Sequence, residues 1–280
     1  MNNKNRINEF SCLFCGNHTL KKKVQFHTPP PGETNFELTK DQPYDRSIFQ
    51  CTFCLHYYSV TPLNIETLYK NSYASHTYGD EHQVRTNFER IMNLDSGQSD
   101  NFQRVQRISN FLSNTYKNFS STLLDVGSGL GVFPFSMKKL GLNNLYCSEI
   151  DKTYINHLND TLGLNIFDSN IESDYKSFFN LITFNKVCEH IRNPINFLRY
   201  YLQFLHLNGH LYIELPDGES AVKHKDGFNR EEFFIEHYHV FSMQSCLLMA
   251  RCLGLEIVNM GKLVEPSGKY TLFAFLRKAN

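Results

Sequence analysis

The stretch Leu123-Leu124-Asp125-Val126-Gly127-Ser128-Gly129-Leu130-Gly131 constrains the fold more than any other part of the chain. An apolar run that stops at glycines reads as a buried parallel strand. The glycines let the backbone turn tightly into a helix starting near Val132, with Pro134 in its first turn. A helix N-terminus presents unpaired N–H groups and a partial positive charge, so such a turn suits a nucleotide-like or carboxylate-bearing ligand. A dinucleotide fingerprint needs a third glycine where Val132 stands, and the spacing here is Gly-x-Gly-x-Gly instead. A glycine-rich βα turn with no ligand is the competing structural reading.

Cys12-Leu13-Phe14-Cys15 and Cys51-Thr52-Phe53-Cys54 are separated by 35 residues. Each pair closes a knuckle that points two thiolates at one centre, and two knuckles supply the four sulfurs that Zn²⁺ takes in a tetrahedron. Cys12, Cys15, Cys51 and Cys54 therefore read as a closed, structural zinc site, with a redox dithiol or an iron–sulfur centre as alternatives. Such a site contributes on the order of 10–16 kcal/mol of apparent binding free energy, enough to hold a module too small for its own core. The other cysteines, Cys147, Cys188, Cys246 and Cys252, fall in apolar stretches and read as small buried hydrophobes. Between the knuckles, Thr28-Pro29-Pro30-Pro31-Gly32-Glu33 is a stiff exposed loop that either covers a substrate or simply connects.

The chain divides by pattern into a zinc-binding module over 1–60, a linker or helical lid over 61–99 and an α/β domain over 100–280. In the linker, Ile65 to Tyr69 and Val84 to Leu94 have helical patterning, interrupted by Tyr73 to Gly79. Phe102, Val105, Ile108, Phe111 and Leu112 then recur at helical spacing behind Asp100 as N-cap. Further strands are expected at Asn144 to Glu149, Leu164 to Phe167, Phe179 to Asn185, Leu207 to Pro216, Gly254 to Val258 and Tyr270 to Phe275. Asp151 should cap a helix containing Tyr154, and another helix should span Met243 to Cys252.

With an acidic residue just ahead of the glycines, the 123–131 stretch resembles the first motif of class I S-adenosylmethionine-dependent methyltransferases. Asn185-Lys186-Val187-Cys188-Glu189-His190 is similar to the Glu-His signature after the fourth strand in many small-molecule members. Leu207 to Pro216 resembles the family's Gly-containing turn and fifth strand, so the match runs in order from Leu123 to Pro216. The implied fold is a Rossmann-like α/β sheet, mostly parallel with an antiparallel last strand and helices on both faces, preceded by a small zinc-ribbon-like module. The resemblance implies S-adenosylmethionine as cofactor. Asp125, Gly127, Ser128, Gly129 and Gly131 would cradle it, Glu149 would hold its ribose, Ile150 would be a further contact to it, Asn170 and Ile171 would line the adenine, and Asn185 would meet it at a strand end. Glu149 lies 18 positions past Gly131, close to the spacing at which a strand-end carboxylate accepts both ribose hydroxyls. As alternatives, Asp168 could serve at the adenine, and Glu149 could be a surface acid that helps cap a helix.

Glu236-His237-Tyr238-His239-Val240-Phe241-Ser242 resembles the segment by which these enzymes approach their substrate. His237 is the first candidate for general base, with His239 and His190 behind it, since imidazole titrates near pH 6.5. His237 and His239 alternate along the chain, so at most one should point into the site. Some relatives bind a catalytic metal through a second acid three residues before the Glu of Glu-His. Lys186 stands there, so methyl transfer without Mg²⁺ is expected.

The formal net charge is zero, and Lys21-Lys22-Lys23 is the one basic run, which makes a nucleic-acid partner unexpected. No run approaches the roughly 18 apolar residues of a membrane span and the chain opens on no basic-then-apolar leader, so a soluble, cytoplasmic protein is expected. A four-cysteine module before a Glu-His methyltransferase domain resembles bacterial enzymes that tailor sugars and surface-polysaccharide precursors. Those relatives include C-, N- and O-methyltransferases, and of the three reactions O-methylation of a small, phosphorylated or nucleotide-linked sugar-type acceptor is the favoured expectation. The competing functions are an RNA methyltransferase whose zinc module docks RNA, and a binding module that keeps the fold without catalysis.

Overall fold

The structure, a computed structural model, describes residues 11–36, 42–65, 81–116 and 121–279, and of residues 81 and 169–171 the backbone alone. The N-terminal part holds strands β1 (Leu20–Phe26), β2 (Arg46–Cys51) and β3 (Tyr57–Val60), followed by helices α1 (Glu81–Met92) and α2 (Asp100–Thr115). Next come β4 (Leu123–Val126), α3 (Val132–Lys139), β5 (Leu145–Ser148), α4 (Lys152–Asn156), β6 (Asn165–Ile166) and β7 (Phe179–Asn185). The chain closes with α5 (Pro194–Tyr201), β8 (Leu205–Pro216), α6 (Gly218–Ala221), β9 (His239–Val240), α7 (Met243–Cys252), β10 (Leu255–Val264) and β11 (Tyr270–Lys278).

Seven strands join in the order β6-β5-β4-β7-β8-β11-β10. The pairs from β6 to β8 are parallel, and β11 enters antiparallel between β8 and β10. This is the mostly parallel sheet with antiparallel closing strands that the sequence implies. The strand order reverses at β4, and ligands of open α/β sheets sit outside the carboxyl ends of the strands at such a switch point.

Alternation along the strands decides the layers. Leu124 and Val126, Ile182 and Phe184, and Leu211, Ile213 and Leu215 face one side, covered by Ile195 and Leu198 of α5 and by Cys246 and Met249 of α7. Leu123, Leu181 and Tyr212 face the other side. There they meet Val84 and Phe88 of α1, Val105, Ile108 and Leu112 of α2, and Phe133 and Met137 of α3. Each such side chain contributes roughly 1.5–3 kcal/mol when fully buried. Helix α2 starts one residue earlier than its pattern suggests. Ser99 is the cap, its Oγ accepting the Phe102 amide at 3.1 Å, while Asp100 instead accepts from Ser267 N and Oγ in the β10–β11 turn.

A second sheet has the order β1-β2-β3-β9 and is antiparallel throughout. Its last member comes from the far end of the sequence: Tyr57 pairs with Val240 and Tyr58 with His239. Cys12, Phe14, Cys51, Cys54 and Tyr58 share one core with Phe241, Cys246 and Met249. Residue 60 thus separates stretches of sequence and not separate cores. The linker region ends in α1, which packs on the sheet; its residues 66–80, including most of the Ile65 to Tyr69 patch and all of Tyr73 to Gly79, lie outside the described residues. Cys147, Cys188 and Cys246 are buried as expected, but Cys252 is exposed at the last turn of α7. Among the described residues no helix is long and apolar enough to cross a membrane.

Candidate functional site

The glycine turn sits at the carboxyl end of β4, at the switch point. Gly131 has φ +73° and is closely covered: a Cβ there would come within 2.6 Å of Leu158 Cδ2 and 2.8 Å of Leu162 Cδ1. Gly129, at φ +50°, opens on empty space, so backbone at that point is accessible to a ligand. Glu149 stands just past β5 and reaches back across the turn. Its Oε2 accepts the Gly129 amide at 2.9 Å and its Oε1 accepts the Ile150 amide at 2.7 Å. Ile150 is 75% exposed beside it, an unusual setting for an apolar side chain. Asp151 caps α4, accepting the Thr153 amide at 2.8 Å, which leaves Glu149 outside the capping role. The backbone of Asn170 and Ile171 lies in a short 3-10 helix, and their side chains lie outside the described residues.

Asp125 does not face the open side of the turn. It is 2% exposed and accepts Thr183 Oγ1 at 2.6 Å and Asn185 Nδ2 at 2.8 Å, so it ties β4 to β7. Burial pushes its carboxyl up to about 6, against the pull of Thr183, Ser128, Arg104 and Asn185. Ser128 Oγ donates to the Asp125 carbonyl at 2.9 Å and fixes the turn. Asn185 at the end of β7 has its Oδ1 buried without a partner.

Beyond Asn185 the chain passes through Lys186 at φ +61°, a left-handed conformation that costs a lysine energy and brings its ammonium onto Thr271 Oγ1 at 2.5 Å. Burial lowers the Lys186 pKa, while Glu214, Glu189 and Glu265 hold it up. Glu214 accepts Arg104 at 2.6 Å and Arg107 at 2.7 Å. Burial pushes Glu214 up, but Arg104, Lys186 and Arg107 outweigh it and hold the carboxyl down at about 2. Glu265 is 3% exposed and neither carboxylate oxygen has a partner.

His190 and His237 come together with their ring centroids 4.7 Å apart. His190 Nδ1 lies 3.1 Å from the Glu236 carbonyl and His237 Nδ1 lies 2.9 Å from the Glu232 carbonyl. Carbonyls only accept, so Nδ1 carries the proton in both rings and Nε2 is the basic nitrogen. Burial lowers His190 to about 4 and, with the neighbouring His190, lowers His237 well below its usual value. Glu189 is buried next to them with Oε2 unpartnered, and burial pushes it up to about 7 against the Lys186 charge. One donor atom from each of Glu189, His190 and His237 lies within 4.8 Å of the other two, a spacing that also fits a cation.

His239 goes elsewhere. It is 2% exposed, with Nδ1 3.0 Å from His56 Nε2 and Nε2 3.1 Å from the Arg192 carbonyl. His56 continues the chain to Ser245 Oγ at 3.2 Å. This relay fills the seam between the two sheets, and the expected alternation with His237 is what separates the two.

The four cysteines of the knuckles converge. Cys12 and Cys54 Sγ are 3.5 Å apart, Cys15 and Cys51 Sγ are 3.5 Å apart, and all four lie within 4.8 Å of one another. Tyr58 OH donates to Cys12 Sγ at 3.1 Å and Asn17 Nδ2 to Cys51 Sγ at 3.6 Å, as outer partners of thiolate ligands do. The set could hold a zinc ion.

Sequence reasoning missed the Arg104–Arg107–Glu214 cluster and the orphaned Glu265. Arg104 and Arg107 are one turn apart on α2, and Glu214 is an acid inside the apolar run of β8. Those two signals together could have suggested a buried pair.

A family described as a methyltransferase domain matches residues 98–259. No curated protein matches the sequence significantly. Among solved structures, the chain is similar to the Burkholderia thailandensis 1,6-didemethyltoxoflavin-N1-methyltransferase with bound 1,6-didemethyltoxoflavin and S-adenosylhomocysteine. The TM-score is 0.54, with 16% identity, covering 84% of this chain and 96% of that one. The plantazolicin methyltransferase BpumL in complex with S-adenosylhomocysteine gives 0.52 and 15%, covering 77% and 98%. The magnesium protoporphyrin IX methyltransferase of Synechocystis PCC 6803, with bound S-adenosylhomocysteine, gives 0.50 and 13%, covering 70% and 95%. At these identities the likeness is one of fold.

Proposed function

The chain belongs to the methyltransferase-domain family that its residues 98–259 match, and from that premise we propose that it moves a methyl group from S-adenosylmethionine to a hydroxyl of a small acceptor, with His237 as base. The observation that carries this reading is the pairing of two features at one end of the sheet: the open glycine turn with Glu149 across it, and the half-buried His190–His237 pair.

When bound, S-adenosylmethionine supplies a methyl group already activated by its sulfonium. Glu149, reaching across the turn to the Gly129 amide, is the residue to receive the ribose hydroxyls, with the exposed Ile150 next to it as a further cofactor contact. Gly127, Ser128, Gly129 and Gly131 shape the cradle, Asn185 offers its unpartnered Oδ1, and Asn170 and Ile171 fall to the adenine side. Asp125 acts here through Thr183 and Asn185, as a brace for the strand ends.

The cofactor would supply the methyl group, and this chain's part would be to hold the acceptor hydroxyl beside it and to take up the proton that the oxygen gives up. The hydroxyl proton goes to His237 Nε2. Burial keeps the imidazole neutral at physiological pH, and the Glu232 carbonyl fixes the tautomer, so Nε2 is ready to accept. His190 packs against that ring and sets its plane. Lys186 supplies a positive charge beside Glu189 without a metal, which supports transfer that is independent of Mg²⁺. His239, committed to the seam, takes no part.

The acceptor we propose is a sugar-type, phosphorylated or nucleotide-linked precursor of a bacterial surface polysaccharide. This rests on the combination of a four-cysteine module, holding a structural zinc ion, with the Glu-His domain. His237→Gln should lower kcat by about 10²–10⁴-fold, the usual worth of a positioned base, and leave S-adenosylhomocysteine affinity within about twofold. Glu149→Ala should do the reverse and weaken that affinity, read by calorimetry. An undiminished kcat in His237→Gln would overturn the assignment.

A further inference from the structure

The segment that carries His237 has no regular secondary structure from Phe234 to Tyr238, yet a base must be held to a fraction of an ångström. Part of its support lies within the methyltransferase domain. Glu232 accepts Arg230 at 2.9 Å and the Tyr270 amide at 2.7 Å, and the Tyr238 amide donates to the Glu189 carbonyl at 2.8 Å. Further anchors come from the N-terminal module. Arg46 on β2 donates through Nη1 to the Phe233 carbonyl. Glu33, at the end of the proline loop, accepts the Ile235 amide on Oε2 at 2.7 Å, and Ser59 on β3 donates its amide to the Tyr238 carbonyl at 3.0 Å.

Arg46 and Glu33 are themselves a pair, 3.3 Å apart with side chains 0% and 1% exposed. Tyr44 OH donates to the other Glu33 oxygen at 2.6 Å, and the Arg46 guanidinium lies 4.8 Å over the Phe26 ring. Two buried charges cost several kcal/mol each to desolvate, and a well-packed apolar pair would hold a loop as firmly. What the ion pair adds is direction: one partner grips a carbonyl and the other an amide, two residues apart, immediately ahead of Glu236-His237.

We propose that Glu33 and Arg46 are positioning residues for His237, so that the module preceding the methyltransferase domain sets the geometry of its base. The proline loop is thereby docked against residues 233–235 and serves as part of the clamp. The proposal rests on the reading of His237 as base.

The test compares the full-length, zinc-loaded wild type with Glu33→Gln, Arg46→Lys and His237→Gln. Three quantities are read: hydrogen exchange of the Ile235 and Tyr238 amides, S-adenosylhomocysteine affinity, and the rate of labelled methyl transfer into small metabolites of a cell extract. Both conservative variants keep a polar group of similar size, and unchanged zinc content verifies that they fold. Exchange at Ile235 and Tyr238 should rise at least tenfold and kcat fall at least tenfold, with affinity within twofold of wild type. A purely structural defect would move affinity together with rate. The proposal is overturned if His237→Gln is slow while the Glu33 and Arg46 variants turn over within twofold of wild type, or if exchange at Ile235 is unchanged. A full rate in His237→Gln overturns the base reading itself, a result distinct from failure of the clamp.

Discussion

His237 and His239 are two residues apart, and the chain turns one toward His190 and the other into a seam with His56. Burial lowers the pKa of all of them, to about 4 for His190 and His239. Burial and the neighbouring His190 lower His237, the proposed base, well below its usual value, so it stays neutral into more acidic solution than an ordinary histidine does. The acid limb of kcat should therefore lie well below about pH 6.5, where an ordinary histidine is half protonated. A pH–rate profile that halves at about 6.5 or above would contradict this placement of the base. Stability is a poorer readout of the same groups. Depressed histidines contribute stability above about pH 6.5 that is lost as the pH falls toward 4. Asp125 at about 6 and Glu189 at about 7 are raised, so their contribution is present at low pH and lost as the pH rises through those values. The two sets oppose each other over the same window.

At the scale of elements, the pattern of residues was informative wherever one face of a strand or helix is buried. β7 over Phe179–Asn185 and α7 over Met243–Cys252 fall where their apolar periodicity places them. The knuckle spacing likewise foretold the convergence of Cys12, Cys15, Cys51 and Cys54. What could not be read was pairing between distant stretches. β9 is two residues long, too short to carry a period, and it joins a sheet whose other strands lie more than 170 residues earlier. The grip of Arg46 on Phe233 and of Glu33 on Ile235 is hidden for the same reason, since 187 and 202 positions separate them, whereas Glu214 within an apolar strand at least signals that it needs a buried partner. Cys252 is exposed and not buried because it ends the final turn of α7, where its Sγ reaches only the Phe14 carbonyl at 3.7 Å.

Across the whole molecule, the knuckles and the methyltransferase sheet draw on one hydrophobic core, and β3 pairs directly with β9. A zinc ion held by the four thiolates would therefore support more than its own module. Its removal by a strong chelator should lower one cooperative thermal transition by at least about 10 °C, given a site worth several kcal/mol to a chain of this size. Two separate transitions, with the later one unmoved, would show the module to be independent. Mg²⁺ chelation that spares the zinc should leave turnover intact, as Lys186 already provides a cation beside Glu189.

Methyl transfer to a small hydroxyl-bearing acceptor is tested most directly by following the methyl group. The zinc-loaded protein is incubated with methyl-labelled S-adenosylmethionine and two fractions of a cell extract, total RNA and small phosphorylated metabolites. Label is expected in the metabolite fraction, on an oxygen of a sugar-type compound by mass spectrometry, and should be lost in His237→Gln. Label in the RNA, or in neither fraction while S-adenosylhomocysteine still binds, would contradict it.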